Sequence, residues 1–99
     1  MKTLKEITAN IETLKPLLTE RYGVETIGVF GSYRRGEQTK KSDIDILVTF
    51  KEEDYPGLFK FLELEEFLAK KLGVKVDLVS KKALKPHIGK RILEEVVMV

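Results

Sequence analysis

The sequence predicts an α/β fold, in which a small mixed β-sheet of three to four strands is covered by helices and residues 1–99 form a single domain. The main observation is that helical and strand-like apolar patterns alternate along the chain, in the order helix, strand, helix, strand, helix, strand, helix. The second is composition, because 42% hydrophobic and 34% charged residues among 99 are ordinary for one globular domain with a modest core.

The first 20 residues predict an amphipathic helix. Thr3 and Glu6 have the spacing of a capping box at its start. Pro16 has no N–H to donate, so we expect it to kink or divide the helix before Gly23 ends it. The apolar residues that share one side are Leu4, Ile7, Ile11, Leu14 and Leu18.

The run Thr26–Phe30 predicts a strand, followed by a tight turn and one helical turn. Because Gly31 has no Cβ, the backbone there can approach an anion closely. The amide and hydroxyl of Ser32 would open the helical turn, where unpaired N–H groups favour phosphate. Arg34 and Arg35 add positive charge that would screen a polyphosphate. On these residues alone, an ordinary strand-to-helix turn is the alternative.

Two nucleotide-binding motifs are excluded at this turn. Gly31 and Gly36 have the spacing of P-loop glycines, but Glu37 and Gln38 stand where that motif needs lysine and then serine or threonine. No G-x-G-x-x-G pattern follows the strand, so the dinucleotide-binding fingerprint is not met either.

The next predicted strand, residues 43–50, begins with two carboxylates. Asp43 and Asp45 share one face of the strand, with Cα atoms roughly 6–7 Å apart. From there they can converge on divalent cations, which lie about 3.5–4 Å apart in two-metal phosphoryl-transfer sites. Like charges this close are costly without a cation, which indicates a metal. On these two residues alone, a solvated strand end with Asp43 capping a turn after Ser42 is the alternative. The apolar residues of the opposite face are Ile44, Ile46, Val48 and Phe50.

Residues 56–72 predict a second long helix, which Gly73 ends. Its apolar face is wider than one packed side requires. We expect the helix to bury this face within the domain, and a surface for a partner is the alternative. The apolar residues are Leu58, Phe59, Phe61, Leu62, Leu64, Phe67, Leu68 and Leu72.

Residues 74–79 predict a third strand, in which Asp77 is the only acid. Acids are depleted in strand interiors, so Asp77 needs a partner. A metal shared with the two upstream aspartates is the favoured interpretation, and an ion pair with Lys75 or Arg35 is the alternative.

A last helix is predicted within residues 81–95, with Pro86 at the start of its main part. The sole histidine, His87, has no metal-ligand companion at helical spacing, and we expect it to be exposed. The apolar segment Val96–Val99 should either add a short strand to the sheet or contact another subunit in a homodimer.

Charge and composition argue against several classes of protein. A net charge of +2 without a reading-helix motif argues against sequence-specific DNA binding. Without cysteine there is neither a disulfide framework nor a thiolate metal site. No apolar run approaches the roughly 18 residues of a membrane span and the start shows no signal-peptide core, so we expect a cytoplasmic protein that does not enter membranes.

Three separated motifs agree in type, order and spacing with one known family. They are Gly31-Ser32 with Arg35-Gly36, then Ser42-Asp43-x-Asp45, and finally Asp77. This pattern resembles the minimal nucleotidyltransferases, or MNT proteins, of the DNA polymerase β-like nucleotidyltransferase superfamily. The resemblance covers nearly the whole chain, and it implies the polymerase β-like fold.

The resemblance also implies roles for the site residues. Gly31 and Ser32 would hold the β- and γ-phosphates of a nucleotide, and Asp43 and Asp45 would bind Mg²⁺. Asp77 would help to bind the catalytic metal and to activate the acceptor hydroxyl. The implied reaction is transfer of a nucleotidyl group, AMP from ATP, to that hydroxyl with release of pyrophosphate and with two Mg²⁺ ions bound.

MNT proteins are typically paired with a HEPN-domain toxin, so the resemblance implies that such a toxin is the acceptor and that this chain is its antitoxin. Two alternatives stay open. One is a non-catalytic module that neutralises the toxin by occlusion. The other is a transferase that acts on a small molecule or on an RNA end.

Overall fold

A long first helix, α1 (Leu4–Tyr22), opens the computed structural model, which describes residues 2–99. Thr3 caps it, because the Thr3 hydroxyl accepts the Glu6 N–H at 3.2 Å and lies 3.2 Å from the Glu6 carboxylate. Gly23, at φ 71°, ends it in the left-handed conformation that favours glycine. The predicted cap and the predicted end of the helix are both confirmed.

Pro16 lies inside α1 without dividing it, so the divided helix, one of the two predicted effects of the proline, is wrong, and the kink stays a prediction. The proline removes a single backbone hydrogen bond. Ile11 and Leu18, fully buried on either side of it, hold both halves of the helix on the same core. Tertiary packing therefore outweighs the local cost of the proline.

Four strands form one mixed sheet in the order β3-β2-β1-β4. Strand β1 (Val24–Phe30) is antiparallel to β2 (Ile44–Phe50) and to β4 (Val97–Met98), whereas β2 is parallel to β3 (Val76–Ser80). The C-terminal apolar segment thus adds a strand, as one of the two predicted alternatives requires. The predicted α/β class and strand number are confirmed.

The core forms between the sheet and two helices, α1 and α3 (Leu58–Leu72). Alternate residues of β2, namely Ile44, Ile46 and Val48, are fully buried, which confirms the predicted apolar face of that strand. The helix residues that are fully buried with them are Ile7, Ile11, Leu18, Leu64, Leu68 and Leu72.

The start of α3 departs from the prediction of burial within the domain. Leu58 is 69% exposed, Phe59 is 87% exposed and Leu62 is 47% exposed. Only one side of a helix can face the sheet, and Leu64 and Leu68 occupy that side. The expectation that the whole apolar face is buried is therefore wrong for the first two turns.

Helix α3 also protects the edge of the sheet. Strand β3 is an outer strand, and the Glu65 carboxylate of α3 accepts the backbone N–H of Leu78 at 2.8 Å. A side chain thus pairs a strand amide that has no neighbouring strand on that side.

The remaining elements are short. A four-residue helix, α2 (Ser32–Arg35), follows β1, and helix α4 (Pro86–Glu95) begins with Pro86 in its first turn, both as predicted. Two single 3-10 turns, Glu52–Asp54 and Lys81–Ala83, are not predicted by the apolar pattern. Among residues 2–99, no helix combines the length and the apolar character needed to cross a membrane.

Candidate active site

Neighbouring parallel strands bring two of the predicted carboxylates side by side. Asp45 of β2 and Asp77 of β3 are register partners, so they stand on the same face of the sheet. Asp43 comes just before β2, which begins at Ile44, one residue later than predicted. Asp77 is exposed, whereas Asp43 and Asp45 are half-buried.

The turn that follows β1 lies next to the same two carboxylates, on the β1 side of β2. Phe30 is the register partner of Asp45, which puts Gly31 directly beside the Asp45 side chain. A Cβ atom at Gly31 would lie 2.0 Å from Asp45 Oδ2, and the residue has φ 77°. A glycine is therefore needed here for two reasons, the backbone conformation and the space that the carboxylate fills.

Burial and nearby negative charge change the acidity of Asp45. Burial, followed by the neighbouring charges of Asp77 and Asp43, raises the pKa of Asp45 to about 6, against an opposing effect of Arg35. Such a group gains most from a cation, because a cation offsets both the burial and the repulsion.

The carboxylates fit Mg²⁺ by chemistry, since hard oxygen ligands are what that ion prefers. The charges of Asp43 and Asp77 both reach Asp45 strongly enough to shift its pKa. Within residues 2–99, however, no three acidic, histidine or cysteine side chains already converge in a set that could hold a metal ion. The predicted metal ligands are thus neighbours in the fold, and their role as ligands stays a prediction.

The alternative partners predicted for Asp77 are not found in the part of the chain that the structure describes. The ion pairs within residues 2–99 join Arg21 to Glu63 and Arg35 to both Glu37 and Glu95. Neither Lys75 nor Arg35 pairs with Asp77 there.

The predicted phosphate-binding residues converge on one glutamate, Glu95, at the end of α4. The Gly31 N–H donates to Glu95 Oε2 at 3.2 Å, and the Arg35 guanidinium pairs with the other carboxylate oxygen. Arg34 Nε donates to the Glu95 backbone carbonyl at 3.0 Å. Ser32, the first residue of α2, lies beside them with a half-buried side chain.

The environment of Glu95 favours its charged form. Burial by itself would raise the pKa of Glu95, but hydrogen bonds from Arg35 and the Gly31 amide, with the nearby arginine charges, lower it below its ordinary value. Sequence reasoning missed this residue. One feature could have indicated it, because Glu94 and Glu95 place two negative charges at the end of a helix whose last turn has no basic residue.

A cleft of about 690 Å³ opens next to the turn, between α4 and the end of β1. His87 is exposed, as predicted, but it lines this cleft rather than a remote surface. Phe30, Ile88 and Ile92 give the cleft an apolar wall beside the charged residues.

Comparison with known proteins agrees with this geometry. A family model described as a nucleotidyltransferase domain matches residues 11–99. The protein adenylyltransferase MntA of Thermococcus cleftensis is 54% identical over 99 residues, which cover 100% of this chain and 98% of the relative. A relative from Methanocaldococcus jannaschii, also named as a protein adenylyltransferase, is 49% identical over the full length of both chains.

Solved structures give the same result. A structure described as a minimal nucleotidyltransferase is 35% identical, with a TM-score of 0.80 over 97% of this chain and 95% of that one. A toxin-antitoxin structure with AMP-PNP is 28% identical, with a TM-score of 0.73 over 90% and 70%. A complex of tri-AMPylated Shewanella oneidensis HEPN toxin with its MNT antitoxin is 25% identical, with a TM-score of 0.67 over 93% and 70%.

These matches confirm the predicted resemblance to the MNT proteins, the predicted fold and the predicted enzyme class. The matched region includes the turn, both strands that bear the aspartates, and α4. The chain belongs to the nucleotidyltransferase domain family, and within it to the minimal nucleotidyltransferases whose close relatives are named protein adenylyltransferases.

Proposed function

We propose that this protein transfers AMP from ATP to a hydroxyl group of a HEPN-domain toxin and acts as the antitoxin of that toxin. Its support is that close relatives are named protein adenylyltransferases and that similar structures hold AMP-PNP or an AMPylated HEPN toxin. The observation that carries the proposal is the register pairing of Asp45 with Asp77 directly beside Gly31. Because the reaction consumes ATP, the proposal also places the protein in the cytoplasm.

The turn would bind the triphosphate. The Gly31 amide and the Arg35 guanidinium already hold a carboxylate, so both can donate to an anion. Arg34 and Ser32 flank them, where a second guanidinium and a hydroxyl would add donors to the phosphate oxygens. This arrangement would fix the triphosphate tail and leave the α-phosphate near the carboxylates.

Asp43, Asp45 and Asp77 would hold Mg²⁺. The ion would supply charge neutralisation on the phosphates and stabilise the attacking and leaving oxygens. The protein's own contribution is to keep Asp45 and Asp77 on one face of the sheet, with Asp43 just before β2, beside the turn, where burial and neighbouring charges make the charged form of Asp45 costly.

Asp77 is suited to receive the proton of the acceptor. It is the exposed member of the carboxylate group, so a side chain of a partner protein can reach it. The acceptor oxygen forms a bond to the α-phosphorus and the bond from that phosphorus to the bridging oxygen breaks, which releases pyrophosphate. The hydroxyl proton passes to the Asp77 carboxylate.

The test is transfer of label from ATP into a purified HEPN-domain toxin in the presence of Mg²⁺. We expect α-labelled ATP to label the toxin and γ-labelled ATP not to label it, because pyrophosphate leaves. The variant Asp43→Asn/Asp45→Asn should lose transfer by at least about a thousandfold while it stays folded.

Asp54→Asn is the matched control, because Asp54 is an exposed aspartate of a 3-10 turn away from the site. It should transfer at the wild-type rate. Equal labelling by wild type and by the double variant would overturn the proposed function, and label in RNA instead of the toxin would overturn the proposed acceptor.

A further inference from the structure

Glu95 is bonded to the same donors that the proposed function assigns to the phosphates. One carboxylate oxygen accepts the Gly31 N–H at 3.2 Å, and the other pairs with the Arg35 guanidinium. The backbone carbonyl of the same residue takes the Arg34 donor at 3.0 Å. A single residue of α4 thus uses three of the donors that a triphosphate would need.

The position of Glu95 is unfavourable for its own helix. Glu94 and Glu95 are the last two residues of α4, where the negative end of the helix dipole disfavours acids, and the last turn holds no basic residue to offset them. The Glu95 carboxylate is stabilised across the fold instead, by residues about 60 positions earlier in the chain.

Glu95 and a phosphate cannot share these donors. The single Gly31 N–H points at one acceptor. The Arg35 guanidinium already pairs with both Glu37 and Glu95, so a phosphate there would be a third anion on one cation. A bound triphosphate must therefore move the Glu95 side chain away from the turn.

The fold allows that movement without opening the core. The Glu95 side chain is 26% exposed and borders the cleft between α4 and the turn. Arg91 lies one helical turn earlier and lines the same cleft, at the spacing at which two side chains of a helix meet. It offers the released carboxylate a second partner.

We propose that Glu95 is an internal competitor for the nucleotide, a carboxylate that holds the phosphate-binding turn in the free protein and leaves it when triphosphate binds. The inference rests on the proposed function, since it takes the turn as the triphosphate site. It adds Glu95, which belongs neither to the carboxylates nor to the turn, to the residues that set nucleotide affinity.

The experiment measures binding of inorganic tripolyphosphate by isothermal titration calorimetry, without metal and at fixed ionic strength. The probe carries the anion of ATP without its base, so it tests the turn alone. We expect Glu95→Gln to bind tripolyphosphate on the order of tenfold more tightly than wild type, because the variant removes one charge-assisted competitor.

Glu94→Gln is the matched control, because it makes the same chemical change one residue away on an exposed side chain. It should change the affinity by no more than about twofold, and any such change would come from long-range electrostatics. Glu95→Asp is a second variant, which keeps the charge and shortens the reach, and it should bind more tightly than wild type as well.

Unchanged or weaker binding by Glu95→Gln, with a thermal melt like that of wild type, would overturn the inference and make Glu95 a purely structural tie between α4 and the turn. If Glu95→Gln does not fold, Glu95→Asp is compared with wild type instead, and unchanged or weaker binding by that variant would overturn the inference. Tight binding by both Glu94→Gln and Glu95→Gln would also overturn it, because the effect would then be one of net charge.

Label transfer into the toxin separates this inference from the proposed function. If both are correct, Glu95→Gln lowers the KM for ATP and leaves kcat within about twofold of wild type, as expected when the lost group competes with nucleotide only in the free enzyme. If no variant transfers AMP but Glu95→Gln still binds tripolyphosphate more tightly, the proposed function fails and the inference stands.

Discussion

The single residue on which the site geometry depends most is Gly31. It holds a positive φ, it donates its N–H to Glu95, and the space where its Cβ would be is filled by Asp45 Oδ2. The residue thus links the turn proposed to bind phosphate to the carboxylates. Gly36 has a similar φ of 72°, but no atom lies within 4 Å of its added Cβ.

Comparison of Gly31→Ala with Gly36→Ala separates the requirement for a positive φ from the requirement for space beside Asp45. We expect Gly31→Ala to lose about 1–3 kcal/mol of unfolding free energy from backbone strain and to lose transfer activity about a hundredfold, because Asp45 must move by an ångström or more. Gly36→Ala should lose about 1 kcal/mol and keep its activity. Urea unfolding and label transfer measure both effects, and full activity in Gly31→Ala would contradict the geometry described for the site.

At the scale of elements, α3 has two unlike sides. Leu64, Leu68 and Leu72 are fully buried and attach the helix to the sheet, whereas Leu58 and Phe59 face solvent. Aromatic contacts add to the attachment, with the rings of Tyr22 and Phe67 5.7 Å apart. The stability that α3 contributes should therefore come from one side only.

The same substitution at two positions of α3 tests this. Leu68→Ala should lower the unfolding free energy by about 2–5 kcal/mol, because it leaves a cavity in the core. Leu58→Ala should change it by no more than about 0.5 kcal/mol, since that side chain is 69% exposed. Chemical denaturation of both variants gives the comparison, and similar losses would mean that the start of α3 is buried in solution.

For the molecule as a whole, the site carries a stability cost that depends on pH. The pKa of Asp45 is about 6 in the folded protein, above the ordinary value of about 3.9 for an unfolded chain. Folding therefore favours the protonated form of Asp45. Between these two values the folded state binds more protons than the unfolded state, so this group makes the fold less stable as the pH rises from about 4 to about 6.

In buffer without divalent cations, Asp45→Asn should therefore be more stable than wild type at pH 7, and the difference should shrink as the pH falls toward 4. Urea midpoints of the two proteins at pH 4.5 and pH 7 measure it. Asp54→Asn, at an exposed position, is the control for a general effect of removing one charge. A stability difference between Asp45→Asn and wild type that is the same at both pH values would contradict the assigned pKa shift.

Much of this molecule is predictable from local pattern. The periodicity indicates the helices and strands, and the strand patterns place Asp45 in β2 and Asp77 in β3, which pair in parallel. Two acids at the end of α4 could have drawn attention to Glu95, but its partners were not predictable, since they lie about 60 residues away and only the folded chain brings them together. Periodicity identifies the apolar residues of α3 but not which side of that helix the sheet covers. It also cannot compare the local cost of Pro16 with the stabilisation from the buried core residues on either side of it.

The Glu65 carboxylate on the Leu78 amide has a consequence for behaviour at high concentration. An outer strand with free amides is a template on which other chains add strands and grow into fibrils. Because α3 covers that amide with one of its own side chains, β3 is a poor template for such growth. Strand β3 can thus leave Asp77 exposed on its face while its edge is protected.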